Sequence, residues 1–395
     1  MNPSSIGIMT SGFNTRAVQD GELRIKEFGN MTTPIFENST FANPNESQNP
    51  ATDHTRGKPY MYTRWGNPTL QSLEKKYASL DQVDEALSFS SGMAAITSSL
   101  LALLKKGDRL LSVNELYGET FLFFTKTLPA MGINVSFMST DELNSKDIDL
   151  RKYNAVYAES IVNPTLGVCD LDHIGSIAAE AGSPLLVDAT FASPYNQNPS
   201  KFHASVTLHS GTKYIGGHAD IILGLAGFSK DYLERIWLSR KTFGGIPDPL
   251  QAFLALRGIK TLGLRMKVQN QNALALARFL EQHKSVRKVF YPGLETFSYH
   301  EIAKRNLKGY GGMISFELKD GVPAARKMMK NLKICSSAPS LGGIESLITL
   351  PIDTTHGSLT PAERAKMGIP EGLIRLSVGI EDSEDLIDDF QKALA

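Results

Sequence analysis

Beyond about residue 70 the apolar and polar positions fall into short blocks, and their periods predict strands and helices in turn. A helix is expected over Leu70 to Leu80, a short strand over Ala86 to Ser90 and an apolar helix over Met93 to Leu104. Next come a strand from Arg109 to Val113, a helix from Glu119 to Ala130, and strands over Ile133 to Met138 and Ala155 to Ser160. A helix from Leu171 to Ala181 and strands over Pro184 to Ala189 and Val206 to Ser210 complete the series. Strands separated by helical crossovers predict a largely parallel sheet covered on both faces. From Pro249 to about His283 the helical pattern is long and broken by Gly258 and Gly263, so a domain boundary is expected near Arg257-Gly258. After it, strands over Gly312 to Leu318, Ser346 to Leu350 and Leu373 to Val378, with a helix over Val322 to Asn331, predict a smaller α/β domain. Ser383, ahead of Glu384 and Asp385, is expected to cap a last helix running to Leu394. Met1 to about Tyr60 has little periodicity, and Phe41 to Pro59 is crowded with Pro, Asn, Thr and Gly. That region reads either as disordered or as an arm packed on something else, such as a neighbouring subunit.

Composition narrows this picture. A chain of 395 residues can bury a large core and a second domain. Its 41 basic and 41 acidic side chains cancel, which disfavours nucleic acid or an anionic membrane as the main partner. Two cysteines, Cys169 and Cys335, read as packed thiols in a reducing cytoplasm. No apolar run reaches the length of a membrane span, and Met1 to Ser5 lacks the features of a signal peptide, so a soluble cytoplasmic protein is expected. The histidines show no metal spacing; His209 and His218 are expected to be packed or solvated.

In sheets of this kind ligands sit at the carboxyl ends of the strands. Tyr117, Asn163, Asp188 and Lys213 fall at or just beyond such ends, so one cleft could collect them. Lys213 lies in His209-Ser210-Gly211-Thr212-Lys213-Tyr214-Ile215-Gly216-Gly217-His218. A partly desolvated lysine is a nucleophile toward an aldehyde, the flanking hydroxyls of Ser210 and Thr212 can hold a phosphate, and the glycines admit a flat ligand. Lys213 is therefore read as the anchor of pyridoxal phosphate; a solvated Gly/Ser turn is the alternative. Asp188 suits a protonated pyridine nitrogen, or caps a turn after its strand. Tyr117 can stack on the ring and act as acid or base, or simply pack, and Asn163 can donate to the ring's phenolate oxygen. Ser91, Gly92 and Met93 begin a helix, where backbone amides make an anion site; a plain Ser N-cap is the alternative. Tyr62 and Arg64 offer a hydroxyl and a guanidinium as a phosphate clamp, against an ordinary salt bridge. Arg375, within an apolar strand, needs a partner if buried, either a substrate carboxylate or a structural one.

Read together, Tyr62-Thr63-Arg64-Trp65-Gly66-Asn67-Pro68-Thr69, Phe89-Ser90-Ser91-Gly92-Met93-Ala94-Ala95, Leu116-Tyr117-Gly118, Asn163-Pro164, Val187-Asp188-Ala189-Thr190, the lysine loop, Ser340-Leu341-Gly342-Gly343-Ile344-Glu345-Ser346 and Ile374-Arg375-Leu376-Ser377-Val378-Gly379-Ile380-Glu381 occur in this order. From about residue 13 to 395 the chain resembles the Cys/Met-metabolism, or trans-sulfuration, family of pyridoxal-phosphate enzymes. The resemblance implies the type I, aspartate-aminotransferase-like α/β fold, with a mostly parallel central sheet and a smaller C-terminal α/β domain, assembled as a homotetramer of tight dimers. The implied division is an arm over 1–64, a coenzyme domain over 65–257 and a C-terminal domain over 258–395. It implies that Lys213 is the Schiff-base lysine, Asp188 the pyridine-nitrogen partner and Tyr117 the stacking tyrosine. Gly92, Met93, Ser210 and Thr212 match the phosphate cradle, and Tyr62 and Arg64 the pair supplied by a neighbouring subunit. Asn163, Ser340 and Arg375 match the groups holding the ring oxygen and the substrate α-carboxylate. The implied activity is γ-replacement or γ-elimination on small sulfur amino acids, with cystathionine γ-synthase or γ-lyase chemistry first and methionine γ-lyase second; a non-catalytic coenzyme-binding protein is the rival of another class. Departures lie at Ser205, where an acid or amide is usual, and at Ala189, where an asparagine is common. Glu119 stands where methionine γ-lyases have a reactive cysteine, Met61 where cystathionine γ-lyases often have an acid, and Glu345 resembles the cystathionine-handling members.

Overall fold

The computed structural model describes residues 11–42, 60–145, 148–357 and 359–395. The start of the chain, and the polar stretch after Phe41 as far as Pro59, fall outside the described residues, beginning at residue 43 for the latter. Two compact units form, one from 1–103 with 205–263, the other from 104–204 with 264–395.

In the first unit, strand Glu85–Phe89 pairs antiparallel with Gly224–Phe228, which pairs antiparallel with Val206–Ser210. Helix Gly92–Leu103 packs on the last two. Helix Pro68–Asp81 covers Glu85–Phe89 and packs against helix Pro249–Ile259. It starts where it does because Asn67 Oδ1 accepts from Thr69 N at 2.9 Å and Pro68 occupies the first turn. Its buried face is not wholly apolar. Glu74 accepts from Ser88 N and Oγ, both at 2.9 Å, and from Arg240 Nη1 at 2.6 Å. A buried charge survives only with such partners. The break in the long helical pattern lies at Lys260–Thr261, between helices Pro249–Ile259 and Leu262–Gln282. Gly258 and Gly263 sit inside the helices and permit close packing: a Cβ at Gly258 would lie 2.3 Å from Gly216 O, and one at Gly263 1.9 Å from Asn14 Oδ1.

In the second unit, strands Asn134–Met138, Arg109–Val113, Ala155–Glu159 and Leu185–Asp188 lie side by side in that order, all parallel. The helix expected from Glu119 to Ala130 opens into a π-helical stretch over Phe123–Thr127, between α-helical turns Gly118–Leu122 and Leu128–Ala130. A second sheet orders Ser336–Ser337, Leu347–Thr349, Leu373–Ser377, Met313–Leu318 and Val286–Phe290, antiparallel except for its first pair. The last helix is Ser383–Ala393, but Ser383 is not its cap. Asp382 holds the cap position without a side-chain bond to the helix, and Ser383 Oγ instead donates to Glu384 at 3.2 Å. No helix among the described residues is long and apolar enough to cross a membrane.

Candidate active site

In the first unit the strand Val206–Ser210 ends in the lysine loop, which coils back on itself. Lys213 N donates to Ser210 O at 3.1 Å, Gly216 N to Gly211 O at 2.8 Å and Gly217 N to Lys213 O at 2.8 Å. Lys213 is half-buried. Helix Gly92–Leu103 begins against this loop so closely that a Cβ at Gly92 would stand 3.0 Å from Ser210 Cβ. First-turn amides of an α-helix lack intrahelical acceptors and attract anions. Ser91 Oγ accepts from Ala94 N at 3.0 Å, so its hydroxyl serves as the cap. Thr212 Oγ1 accepts from Leu223 N at 2.9 Å and donates to Leu223 O at 3.3 Å. A hydroxyl has one proton, so Thr212 would donate to an anion only by giving up the second bond. His209 is packed in the core edge-on to Tyr77, its Nε2 3.8 Å from Asp81 Oδ1, and His218 Nδ1 lies 2.8 Å from Gly216 O.

Tyr62 and Arg64 stand on a short pinned turn of the same unit. Phe41 N donates to Met61 O and Thr63 N to Ser39 O, each at 2.9 Å. The Arg64 guanidinium lies 5.0 Å from the centre of the Tyr62 ring. Among the described residues no carboxylate pairs with Arg64.

In the second unit, Tyr117 and Asn163 follow the carboxyl ends of parallel strands and Asp188 is the last residue of one. Arg375, 2% exposed, donates from Nη1 to Asn163 Oδ1 and from Nη2 to Ser340 O, both at 3.1 Å. Neither acceptor is a carboxylate. Pro164 O accepts from Ser315 Oγ at 2.6 Å, and Ser315 is the register partner of Arg375 in the second sheet, so the Asn163 loop is tied beside the guanidinium. Tyr117 is 40% exposed. Burial and the nearby Glu119 push its phenol pKa up, against the pull of Arg375. Asp188 Oδ1 accepts from Thr190 N at 2.9 Å, the turn-capping bond expected as its alternative role. Glu345 is exposed on its glycine turn and folds back toward Gly343.

Two groups here have no counterpart in the sequence reading. Glu159 is the register partner of Asp188 and is buried; its two oxygens accept from Tyr117 N at 2.8 Å and Asn163 N at 3.3 Å. Burial and the Asp188 carboxylate raise its pKa well above the usual carboxylate range. An acid closing an apolar strand was a visible signal for it, the same signal that marked Asp188. His356, fully buried, donates from Nε2 to Leu116 O at 3.1 Å. Nothing local in the sequence marks that contact.

Beyond geometry, the chain matches the family model of Cys/Met metabolism PLP-dependent enzymes over residues 14–395. It is 40% identical to a cystathionine gamma-lyase of Dictyostelium discoideum, with 96% of this chain and 97% of that one aligned. It is equally, 40%, identical to an L-methionine gamma-lyase of Fusobacterium nucleatum subsp. polymorphum over 97% of this chain and 98% of that one. A cystathionine gamma synthase structure from Xanthomonas oryzae pv. oryzae, in complex with aminoacrylate and cysteine, superposes with a TM-score of 0.91 at 35% identity, covering 97% of both chains. The type I α/β fold with a mostly parallel central sheet is thereby shown, as is pyridoxal phosphate as coenzyme. The chain belongs to the Cys/Met metabolism family of PLP-dependent enzymes, which carry out γ-elimination and γ-replacement on small sulfur amino acids.

Proposed function

We propose that this enzyme works on cystathionine, either forming it from an activated homoserine and cysteine or cleaving it, and that methionine is the poorer substrate. The reading is carried by the meeting of Arg375 with Asn163 and Ser340 at hydrogen-bond distance, a buried guanidinium with two neutral oxygens that suits an amino-acid carboxylate. The choice among substrates rests on two acids. Glu119 lies close enough to Tyr117 to raise its pKa, and Glu345 is exposed on its glycine turn. Cystathionine has an ammonium at its far end for such acids to meet, whereas methionine ends in a methyl.

The residues present fit the coenzyme. The close seat of Gly92 on Ser210, at a helix start, suits a terminal phosphate, and the exposed ring of Tyr117 suits a flat heterocycle. In this reading Lys213 would hold the coenzyme covalently, Gly92, Met93, Ser210 and Thr212 would cradle its phosphate, and Asp188 would pair with its pyridine nitrogen. When bound, pyridoxal phosphate supplies an aldehyde that joins an amine and a ring that takes up charge from the α-carbon. Arg375, Asn163 and Ser340 orient the substrate and the ring oxygen. The freed Lys213 amine accepts the α-proton and relays protons toward the β-carbon, and Tyr117 moves a proton at the departing γ-substituent. The working form is a cytoplasmic homotetramer in which Tyr62 and Arg64 complete the phosphate site of a neighbouring subunit.

Purified protein is incubated with cystathionine, methionine and an O-acylhomoserine, with and without cysteine, and products are identified by mass. Formation of cystathionine, or release of 2-oxobutanoate from it, is expected, and Lys213→Ala abolishes both. Turnover of methionine alone, or a Lys213→Ala variant with near-normal rates, overturns the reading.

A further inference from the structure

The peptide joining Leu116 to Tyr117 is held at both of its polar atoms by buried titratable side chains to which the roles above assign nothing. On its nitrogen side, Tyr117 N donates to Glu159 Oε1 at 2.8 Å. On its oxygen side, Leu116 O accepts from His356 Nε2 at 3.1 Å. A carbonyl oxygen only accepts, so Nε2 carries the ring proton, and Nδ1 accepts from the Thr355 hydroxyl at 2.9 Å. Both imidazole nitrogens are therefore engaged and one tautomer is selected. The second oxygen of Glu159 accepts from Asn163 N at 3.3 Å, so one carboxylate ties the Tyr117 loop to the loop that meets Arg375. The segment bearing His356 presses directly on the tyrosine loop, since a Cβ at Gly118 would stand 2.3 Å from Thr355 O.

A peptide gripped in this way cannot rotate without stranding a buried acceptor and a buried carboxylate. Rotation of that peptide would swing the Tyr117 ring, which is itself largely outside the core. We infer that Glu159 and His356 are positioning residues that set the angle of the Tyr117 ring, Glu159 doing so jointly for Tyr117 and Asn163. This rests on the reading that Tyr117 lies against the coenzyme. Neither residue touches the reacting atoms; each acts through the backbone it holds.

The test uses the holoenzyme and the variants His356→Ala, His356→Gln, Glu159→Gln and Tyr117→Ala. Three quantities are measured: the visible circular dichroism induced in the bound coenzyme, borohydride trapping at Lys213, and kcat and KM separately. In His356→Ala and Glu159→Gln the coenzyme is still trapped at Lys213, the induced dichroism per bound coenzyme falls and kcat drops about 10- to 100-fold, with KM unchanged in His356→Ala and raised in Glu159→Gln, which also loosens Asn163. His356→Gln keeps an N–H that can reach Leu116 O and restores most of both signals, which a loss of general packing would not allow. If His356→Ala does not fold, Glu159→Gln against His356→Gln decides the matter on the same readouts. Wild-type dichroism and kcat in Glu159→Gln and His356→Ala overturn the inference while leaving the role of Tyr117 intact. No trapping at Lys213 in the unaltered protein, or a Tyr117→Ala variant with unaltered dichroism and kcat, overturns the reading beneath it.

Discussion

His356 is surrounded by groups that decide its charge: Arg375 and Arg364 bring positive charge to it, while Leu116 O and a backbone group of Asn163 hydrogen-bond it. Burial dominates and, with the two arginines, lowers its pKa from 6.5 to about 4 despite the hydrogen bonds. The unfolded chain, with its histidine near 6.5, takes up a proton as pH falls through that value, and the folded chain does not until pH reaches about 4. The associated stability is thus fully present above 6.5 and drains away between 6.5 and about 4. Its full size is about 3 kcal/mol. Urea midpoints measured across that window for the wild type and His356→Gln are expected to converge as the solution is acidified. Parallel curves would mean the imidazole is not held neutral. This residue shows where sequence reasoning stops: its partner is a carbonyl 240 positions away, and no pattern encodes that distance. Asp188 and Lys213 could be singled out as candidates because strand ends mark positions where a ligand can sit, and Glu159, at the end of a parallel strand beside Asp188, carried the same mark.

Among the strands omitted from the sequence reading, Val286–Phe290 lies at an edge of the second sheet, while Gly224–Phe228 breaks the expected parallel order. Gly-Leu-Ala-Gly-Phe has three residues with poor strand preference, two glycines and an alanine, so no β pattern stands out. Its glycines exist for packing. A Cβ at Gly224 would lie 2.0 Å from Ser91 O, and one at Gly227 2.8 Å from Val83 Cγ2. The strand is a seat for the start of helix Gly92–Leu103, and because it runs antiparallel to both neighbours it interrupts the parallel order that alternating strands and helices predict. The parallel four-strand set, by contrast, was read within a residue or so at each strand, because three of the strands are largely buried apolar runs, while the edge strand Asn134–Met138 is only partly covered and alternates apolar with polar residues. Gly224→Ala would drive a methyl group into the Ser91 carbonyl, so a loss of about 1–3 kcal/mol is expected in urea unfolding. The displaced helix start should also weaken coenzyme binding, measured by fluorescence titration. Unchanged stability and unchanged affinity together would show that the helix start does not depend on this seat.

At the scale of the whole molecule, the stretch from Pro34 to Phe36 was unreadable by periodicity because its hydrogen bonds go to side chains more than thirty positions away. Phe36 N donates to Thr69 Oγ1 at 2.9 Å, Thr69 Oγ1 to Pro34 O at 2.8 Å and Asn67 Nδ2 to Phe36 O at 2.8 Å. These bonds moor the segment to the cap of helix Pro68–Asp81, yet leave Phe28 and Met31 78% and 74% exposed. Apolar groups so exposed are what a subunit contact would cover. On the same pinned stretch, Arg64 stacks on Tyr62 while, among the described residues, no carboxylate neutralises it. If the pair serves a neighbour's phosphate, Arg64→Ala and Lys213→Ala each inactivate a different half of the same composite site. Mixing the two inactive proteins under mild denaturant and then refolding them pairs an intact arginine with an intact lysine in one site of each hybrid dimer. About a quarter of wild-type activity is then recovered, since half the dimers are hybrid and half of their sites are complete. Arg64 acting within its own chain predicts no recovery at any mixing ratio, because every lysine-competent subunit would still lack its guanidinium.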